Sequence, residues 1–386
     1  MRDESSSLLK LTLGGTVAMA VAMGIGRFVY TPILPGMMAG LDMSAANAGL
    51  IASANYLGYL VGAILAAGGW GAGRERAVML VSLLASGLLC LAMALTGSLA
   101  VFLSIRFAAG VASAFVMVFI STIVFSHLAA ANAFDKQWLH FGGVGLGISV
   151  SSLLIGALML AHGGWRSGWI GAAALSLAGV VVVAMLVRDG PVKTGDAARE
   201  PALVWNAALL RIVAAYGVFG FGYIVTATFL VAIVRNSGAP ALFEPGVWLA
   251  TGLAAAPSVW LWNHAVRRLG YTATFVIGCL VEAVGVAASV AVPGLAGPLL
   301  GGILLGGTFV AVTAYGLAIG RQLAGPATRR ALATMTAAFA AGPLIGPGVA
   351  DYAAEATRSY AAPSLAAAAA LLAAAALAWP VRHAVR

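Results

Sequence analysis

The chain has 386 residues, 62% hydrophobic and 9% charged, with a formal net charge of +9. A soluble domain carries about 25% charged residues, so the composition excludes a water-soluble globular protein and points to an all-α integral membrane protein. The basic residues stand singly and in pairs at the ends of apolar stretches, which is a topology signal and not a nucleic-acid-binding face.

A stretch of about 20 mostly apolar residues can cross a bilayer as a helix, and the sequence predicts about twelve. The first six run over Leu11–Ala39, Ala46–Gly69, Ala77–Thr96, Leu99–Val124, Trp138–Ala161 and Trp165–Val187. Arg2 and Lys10 ahead of the first apolar run imitate a signal peptide. That run leads straight into further spans, so it reads as a first transmembrane helix. The one sustained polar segment, RDGPVKTGDAARE from Arg188 to Glu200, reads as a linker. It divides the chain into an N-terminal bundle (1–190), a cytoplasmic linker (191–204) and a C-terminal bundle (205–386). The second six spans are Trp205–Val234, Gly246–Ala265, Thr272–Val292, Ala296–Gly320, Ala331–Ala350 and Tyr360–Trp379.

The halves are related in sequence. GIGRFVYTPIL, beginning at Gly24, aligns with GFGYIVTATFL, beginning at Gly220, and the same offset of 196 residues sets Gly110 on Gly306. This argues for a parallel duplication of six helices. With both termini cytoplasmic, only Arg166, Arg235 and Arg358 fall in outer loops, while Arg27 and Arg106 fall within spans. Every other Lys and Arg lies on the inner side, as the positive-inside rule expects.

Several motifs carry a family resemblance. GGWGAGRERA (Gly68 to Ala77) resembles, without its usual Asp, the loop that major facilitator superfamily transporters carry between helices two and three. WNHAVRRLG (Trp262 to Gly270) resembles its counterpart in the second half, and RFAAGVASA (Arg106 to Ala114) matches the family's pattern in helix four. Gly143, Gly145 and Gly147 loosely resemble the antiporter pattern of helix five, though its Gly-Pro pair stands instead in the eleventh span at Gly342-Pro343 and Gly346-Pro347. GRFVYTPILP and ANYLGYLVGA (Ala54 to Ala63) resemble the YbfB/YjiJ-type branch. The resemblance implies two six-helix bundles around a central cavity lined by helices one, four, seven and ten, flanked by two, five, eight and eleven. It further implies a monomeric secondary transporter in a bacterial inner membrane, working by alternating access on a small-molecule substrate without a cofactor.

Within that frame, Arg27 is the costliest residue, since a guanidinium at bilayer depth costs roughly 2.5–3.5 kcal/mol on insertion scales. It either faces a water-filled cavity or binds backbone carbonyls where the helix kinks near Pro32. Tyr30, three residues on, points the same way. Arg106, Gly110, Ser113 and Met117 form a stripe in the fourth span, and Asn55 and Tyr59 share a face in the second. Tyr223 falls opposite Arg27 under the duplication, Tyr216 precedes it by seven residues, and Tyr315 is the clearest polar aromatic of the tenth span. Arg27, Tyr30, Asn55, Tyr59, Arg106, Tyr223 and Tyr315 are therefore the substrate-binding candidates. The alternatives are a structural or proton-relay role for Arg106, helix–helix contact for Asn55, and packing with hydroxyls on carbonyls for the tyrosines.

His140, near the cytoplasmic end of its helix, is either an interfacial residue or a proton-coupling group. Glu282, the one acidic side chain deep in a span, is either a structural hydrogen-bond partner or a coupling group. Two arginines and no carboxylate in the four central helices make the expected cavity electropositive. That favours a small organic anion, a carboxylate with an apolar or aromatic body resting on the tyrosines. Efflux of hydrophobic compounds is the alternative within the transporter class, and protons are the candidate coupling ion. An enzyme or a channel is disfavoured. The five histidines are dispersed, Cys90 and Cys279 lack metal-ligand spacing, and the glycine runs lack the Walker ending.

Overall fold

The computed structural model describes residues 2–68, 70–71, 73–133, 136–189, 201–236 and 238–384. Most of the predicted linker (191–200) lies outside the described residues, as do Gly69 at the end of the second predicted span and Ala72 in the loop beyond it. The described residues are all-helical, with no strand among them.

In the first half, α1 (Arg2–Met19) passes through a π-helical segment (Ala20–Ile25) into α2 (Tyr30–Leu41), and together they make one crossing. It is followed by α3 (Ala45–Ala67), α4 (Glu75–Ala94), α5 (Leu99–Ala130), α6 (Gln137–Leu160) and α7 (Trp165–Leu186). The second half contains α8 (Ala207–Asn236), α9 (Phe243–Ala255), α10 (Ser258–Ala291), α11 (Ala296–Ala324), α12 (Thr328–Thr357) and α13 (Ala361–Ala378).

By length and composition eleven helices are able to cross a membrane on their own. The twelfth crossing is divided between two elements. α9 has only 13 residues, and the ring of Pro257 interrupts its hydrogen-bond ladder without turning the chain aside. The helix resumes at Ser258 and runs to Leu269. At Gly270 (φ 81, ψ 170) the chain turns back before the rest of α10 forms the ninth crossing. That backbone region is essentially restricted to glycine. The predicted eighth and ninth spans thus meet at this residue.

An even number of crossings brings the chain ends to one face, here called the terminal face. At the opposite face, α2 ends in a left-handed Asp42 (φ 48), and the Ser44 side chain caps α3 by accepting from the Asn47 amide (3.2 Å). Capping of this kind satisfies amides the first turn leaves open.

Membrane helices associate through small residues that let backbones approach closely, and the two halves repeat the same close approaches. A Cβ at Gly110 of α5 would strike the carbonyl of Asn55 in α3, and one at Gly306 of α11 would strike the carbonyl of Thr251 in α9. Gly24 packs on Gly147 of α6, while Gly220 packs on Phe339 and Pro343 of α12. Asn55 and Thr251, like Gly147 and Pro343, are again 196 positions apart. The halves join where α3 packs on α12, α6 on α9, and α2 on α8. α5 and α11 make no comparable packing on each other. Toward the opposite face the Thr31 hydroxyl donates to the Ala227 carbonyl (2.8 Å), and the Ala46 amide donates to Glu355 Oε1 (3.1 Å).

Candidate functional site

The first crossing is broken where it passes between the halves. In the π-helical segment the Gly26 amide reaches back to the Val21 carbonyl (2.7 Å), and that of Phe28 reaches Met23 (3.2 Å), each five residues away. Pro32 has no amide to offer the Phe28 carbonyl, so residues 26–29 form a turn before α2 begins. π-bulges leave carbonyls that need partners from elsewhere. Arg106 of α5 supplies them: Nη1 donates to the Gly26 carbonyl (2.9 Å) and Nη2 to that of Arg27 (3.1 Å). Asn55 donates in turn to the Arg106 carbonyl (3.0 Å), and Tyr30 lies beneath the Arg106 guanidinium at 5.2 Å. Carbonyl binding at the kink, expected as one alternative for Arg27, is the task of Arg106.

Arg27 itself points the other way. Its guanidinium carbon sits 4.5 Å from the centre of the Tyr56 ring, 4.4 Å from Tyr59 and 5.7 Å from Phe28. The residue is 5% exposed, and its Nε has no hydrogen-bond partner. Its electrostatic neighbours are the phenols of Tyr223, Tyr56 and Tyr59, and among the described residues no carboxylate pairs with it. A desolvated cation–π contact returns about 2 kcal/mol, whereas an unpaired buried ion costs several. The cage therefore offsets only part of the cost of keeping this charge between the bundles.

Opposite the cage stands an aromatic wall from the second half. Tyr223 of α8 stacks on Phe309 of α11 (6.0 Å, 3°), Phe339 of α12 (5.4 Å, 19°) and Phe219 (5.5 Å, 21°). Phe28 joins cage to wall, with its ring 5.8 Å from Phe309 and 6.4 Å from Trp248 of α9. The buried indole Nε1 of Trp248 has no partner.

Of the seven binding candidates, the structure brings Arg27, Tyr59 and Tyr223 together. Tyr30, Asn55 and Arg106 form a second layer around the helix break. Tyr30 does not share the face of Arg27, because the intervening turn rotates it away; its hydroxyl donates to the Ala48 carbonyl (2.8 Å). Tyr315 lies apart, donating to the Val259 carbonyl (3.2 Å) and to Asn263 (3.1 Å). Tyr56 was missed, although its place three residues before Tyr59 puts the two on one helical face. Phe28, Trp248, Phe309 and Phe339 carry no polar signal to mark them in sequence.

The coupling candidates occupy separate sites. His140, in the first turn of α6, is fully buried between Phe125 and Phe141 (5.3 and 5.5 Å), and its Nε2 lies 3.0 Å from the Ser121 hydroxyl. Glu282 of α10 is also fully buried, with Oε2 2.8 Å from the Thr308 hydroxyl and Oε1 unpartnered. Thr308 precedes Phe309, which connects this carboxyl to the back of the wall. Among the described residues no group of His, Cys, Asp and Glu could hold a metal ion.

A family model matches residues 19–379, nearly the whole chain. The chain belongs to the family described as uncharacterised MFS-type transporter YbfB. Membership makes this YbfB-type protein a multi-pass membrane transporter of the major facilitator superfamily, and solved structures agree on the fold. A bacterial homologue of the human lysosomal transporter Spinster, in an inward-facing and occupied conformation, superposes with a TM-score of 0.73 at 14% identity. The match covers 98% of this chain and 97% of that one. The nucleoside transporter NupG superposes with a TM-score of 0.69 at 15% identity, covering 97% and 98%. At such identities the likeness shows the architecture alone. No curated protein matches the chain.

Proposed function

We propose that this transporter is a secondary active carrier of a small organic anion, working by alternating access between its two bundles. One observation carries the reading. The buried Arg27 guanidinium lies between the halves with an unpartnered nitrogen and no carboxylate beside it. A guanidinium grips a carboxylate through two parallel hydrogen bonds, so an anion supplies the charge the protein leaves out. Residues 1–190 and 205–386 are the two bodies that rock, 191–204 joins them, and the carrier acts as a monomer. The distribution of Lys and Arg supports cytoplasmic termini in a bacterial inner membrane. Packing of α2 on α8 and the contact of Glu355 with α3 then close the outer side. Glu282 and His140 are the proton-coupling candidates on this reading.

Counterflow in proteoliposomes tests it. The wild-type protein exchanges a labelled carboxylate saturably, and Arg27→Met protein does not. Equal counterflow in both removes Arg27 from the site. The aromatic wall favours a second reading, efflux of hydrophobic compounds. That reading predicts movement of neutral or cationic dyes that is indifferent to Arg27→Met.

A further inference from the structure

The commitments of the two arginines set the valence of the anion. Arg106 spends both terminal nitrogens on the carbonyls of Gly26 and Arg27, and its Nε is buried without a partner. It is 2% exposed and its terminal donors are turned to the backbone it holds, so it acts on Tyr56 and Arg27 by charge alone. Among the described residues Arg27, held beside Tyr56 and Tyr59 with its Nε unpartnered, is then the one buried guanidinium between the bundles that is not committed to backbone carbonyls. Resting on the anion reading above, we infer that the site takes a singly charged aromatic carboxylate and rejects dianions and zwitterions.

The charge argument is local. One open guanidinium neutralises one carboxylate. A dicarboxylate or phosphate dianion brings a second negative charge among Phe28, Phe309 and Phe339, where an unpaired ion is strongly disfavoured. An amino acid brings an ammonium that would share the space with Arg27 and find no open carboxylate. Among the described residues the acidic side chains of the neighbouring crossings are already engaged: Glu282 lies behind α11 with one oxygen bonded to Thr308, Glu244 of α9 pairs with Arg235, and Glu355 of α12 accepts from the Ala46 amide. The body of the ligand follows from the wall. Tyr223, Phe309 and Phe339 present nearly parallel rings, with interplanar angles of 3° and 19°. A flat ring extends such a stack better than a puckered or flexible chain does. The unpartnered Trp248 Nε1 offers a donor to an acceptor substituent on that ring.

The test is a binding series on purified full-length protein, with counterflow inhibition as a second readout. The probes are benzoate, 4-methoxybenzoate, isophthalate, phenylalanine, benzamide, cyclohexanecarboxylate and acetate. Benzoate and 4-methoxybenzoate should bind, with isophthalate, phenylalanine and benzamide each weaker by about 100-fold or more, the scale of one uncompensated buried charge or one lost ion pair. Cyclohexanecarboxylate should fall between benzoate and acetate. In Phe309→Leu protein the preference for benzoate over cyclohexanecarboxylate should shrink while the preference for benzoate over benzamide remains. Isophthalate binding as tightly as benzoate overturns the valence rule but leaves an anion carrier standing. Acetate matching benzoate overturns the aromatic assignment in the same limited way. Benzamide matching benzoate, or no binding of any carboxylate to folded protein, overturns the anion reading and this inference with it.

Discussion

The N-terminal half sets Gly110 against the backbone of Asn55, and the C-terminal half sets Gly306 against Thr251 in the same way. At the positions that look into the space between the halves the correspondence ends. Arg27 is matched by Tyr223 and Arg106 by Gly302, and the broken first crossing is matched by an unbroken α8. The break and the second arginine belong together, since carbonyls freed by the π-helical segment require a donor and Arg106 is that donor. α8 frees no such carbonyls, and Gly302 lies instead against the Thr251 side chain. Small residues at a fixed spacing hold a shared frame, while charge resides in one half and stacked aromatics in the other. On the proposed function, a solute held between them would meet a cation on one side and rings on the opposite side.

Breaking the staple should cost most. Arg106→Ala leaves the Gly26 and Arg27 carbonyls without donors and should destabilise the protein by about 3–5 kcal/mol, the usual cost of breaking a buried charged hydrogen-bond network. A drop in thermal midpoint in detergent is the readout, and Arg106→Lys, which restores one donor, should recover part of it. Equivalent changes in the shared frame should cost less and cost the same. Gly110→Ala and Gly306→Ala each push a Cβ into a facing carbonyl, an overpacking worth about 1–3 kcal/mol. Unequal losses would count against a common frame. The smallest effect belongs to Glu355, which caps α3 from the other half. Glu355→Ala should weaken closure by about 0.5–1 kcal/mol. The reaction of a Met38→Cys reporter with a membrane-impermeant thiol reagent, at a cavity shared with Pro35, Ala232 and Arg235, should quicken several-fold. The native Cys90 and Cys279 are buried and leave that signal clean.

Much of this frame could be read from the chain. Apolar run lengths located the crossings, and the repeat of Gly24 and Gly110 at Gly220 and Gly306 anticipated contacts that depend only on small residues. Helical spacing failed where the helix failed: Tyr30 was placed beside Arg27 by a rule that the turn at residues 26–29 breaks. Which arginine serves carbonyls and which stays open depends on the meeting of the first and fourth crossings, a tertiary fact with no local signature. The burial of His140 could not be read from its position near a helix end, because Phe125 of α5 and the adjacent Phe141 close over it. The aromatic wall escaped notice because phenylalanine in a membrane span is ordinarily packing, and only convergence of four helices makes it a surface.

The open state of Arg27 is most directly tested by titrating benzoate into wild-type and Arg27→Met protein while recording thermal midpoints on the same samples. Replacing an unpaired buried charge by an apolar side chain of similar volume is neutral or stabilising. The expected result is a loss of affinity of about 100-fold or more with a midpoint unchanged or higher. Retained affinity, or a midpoint that falls as far as that of Arg106→Ala, would show that Arg27 is part of the scaffold and not the cation that a solute meets.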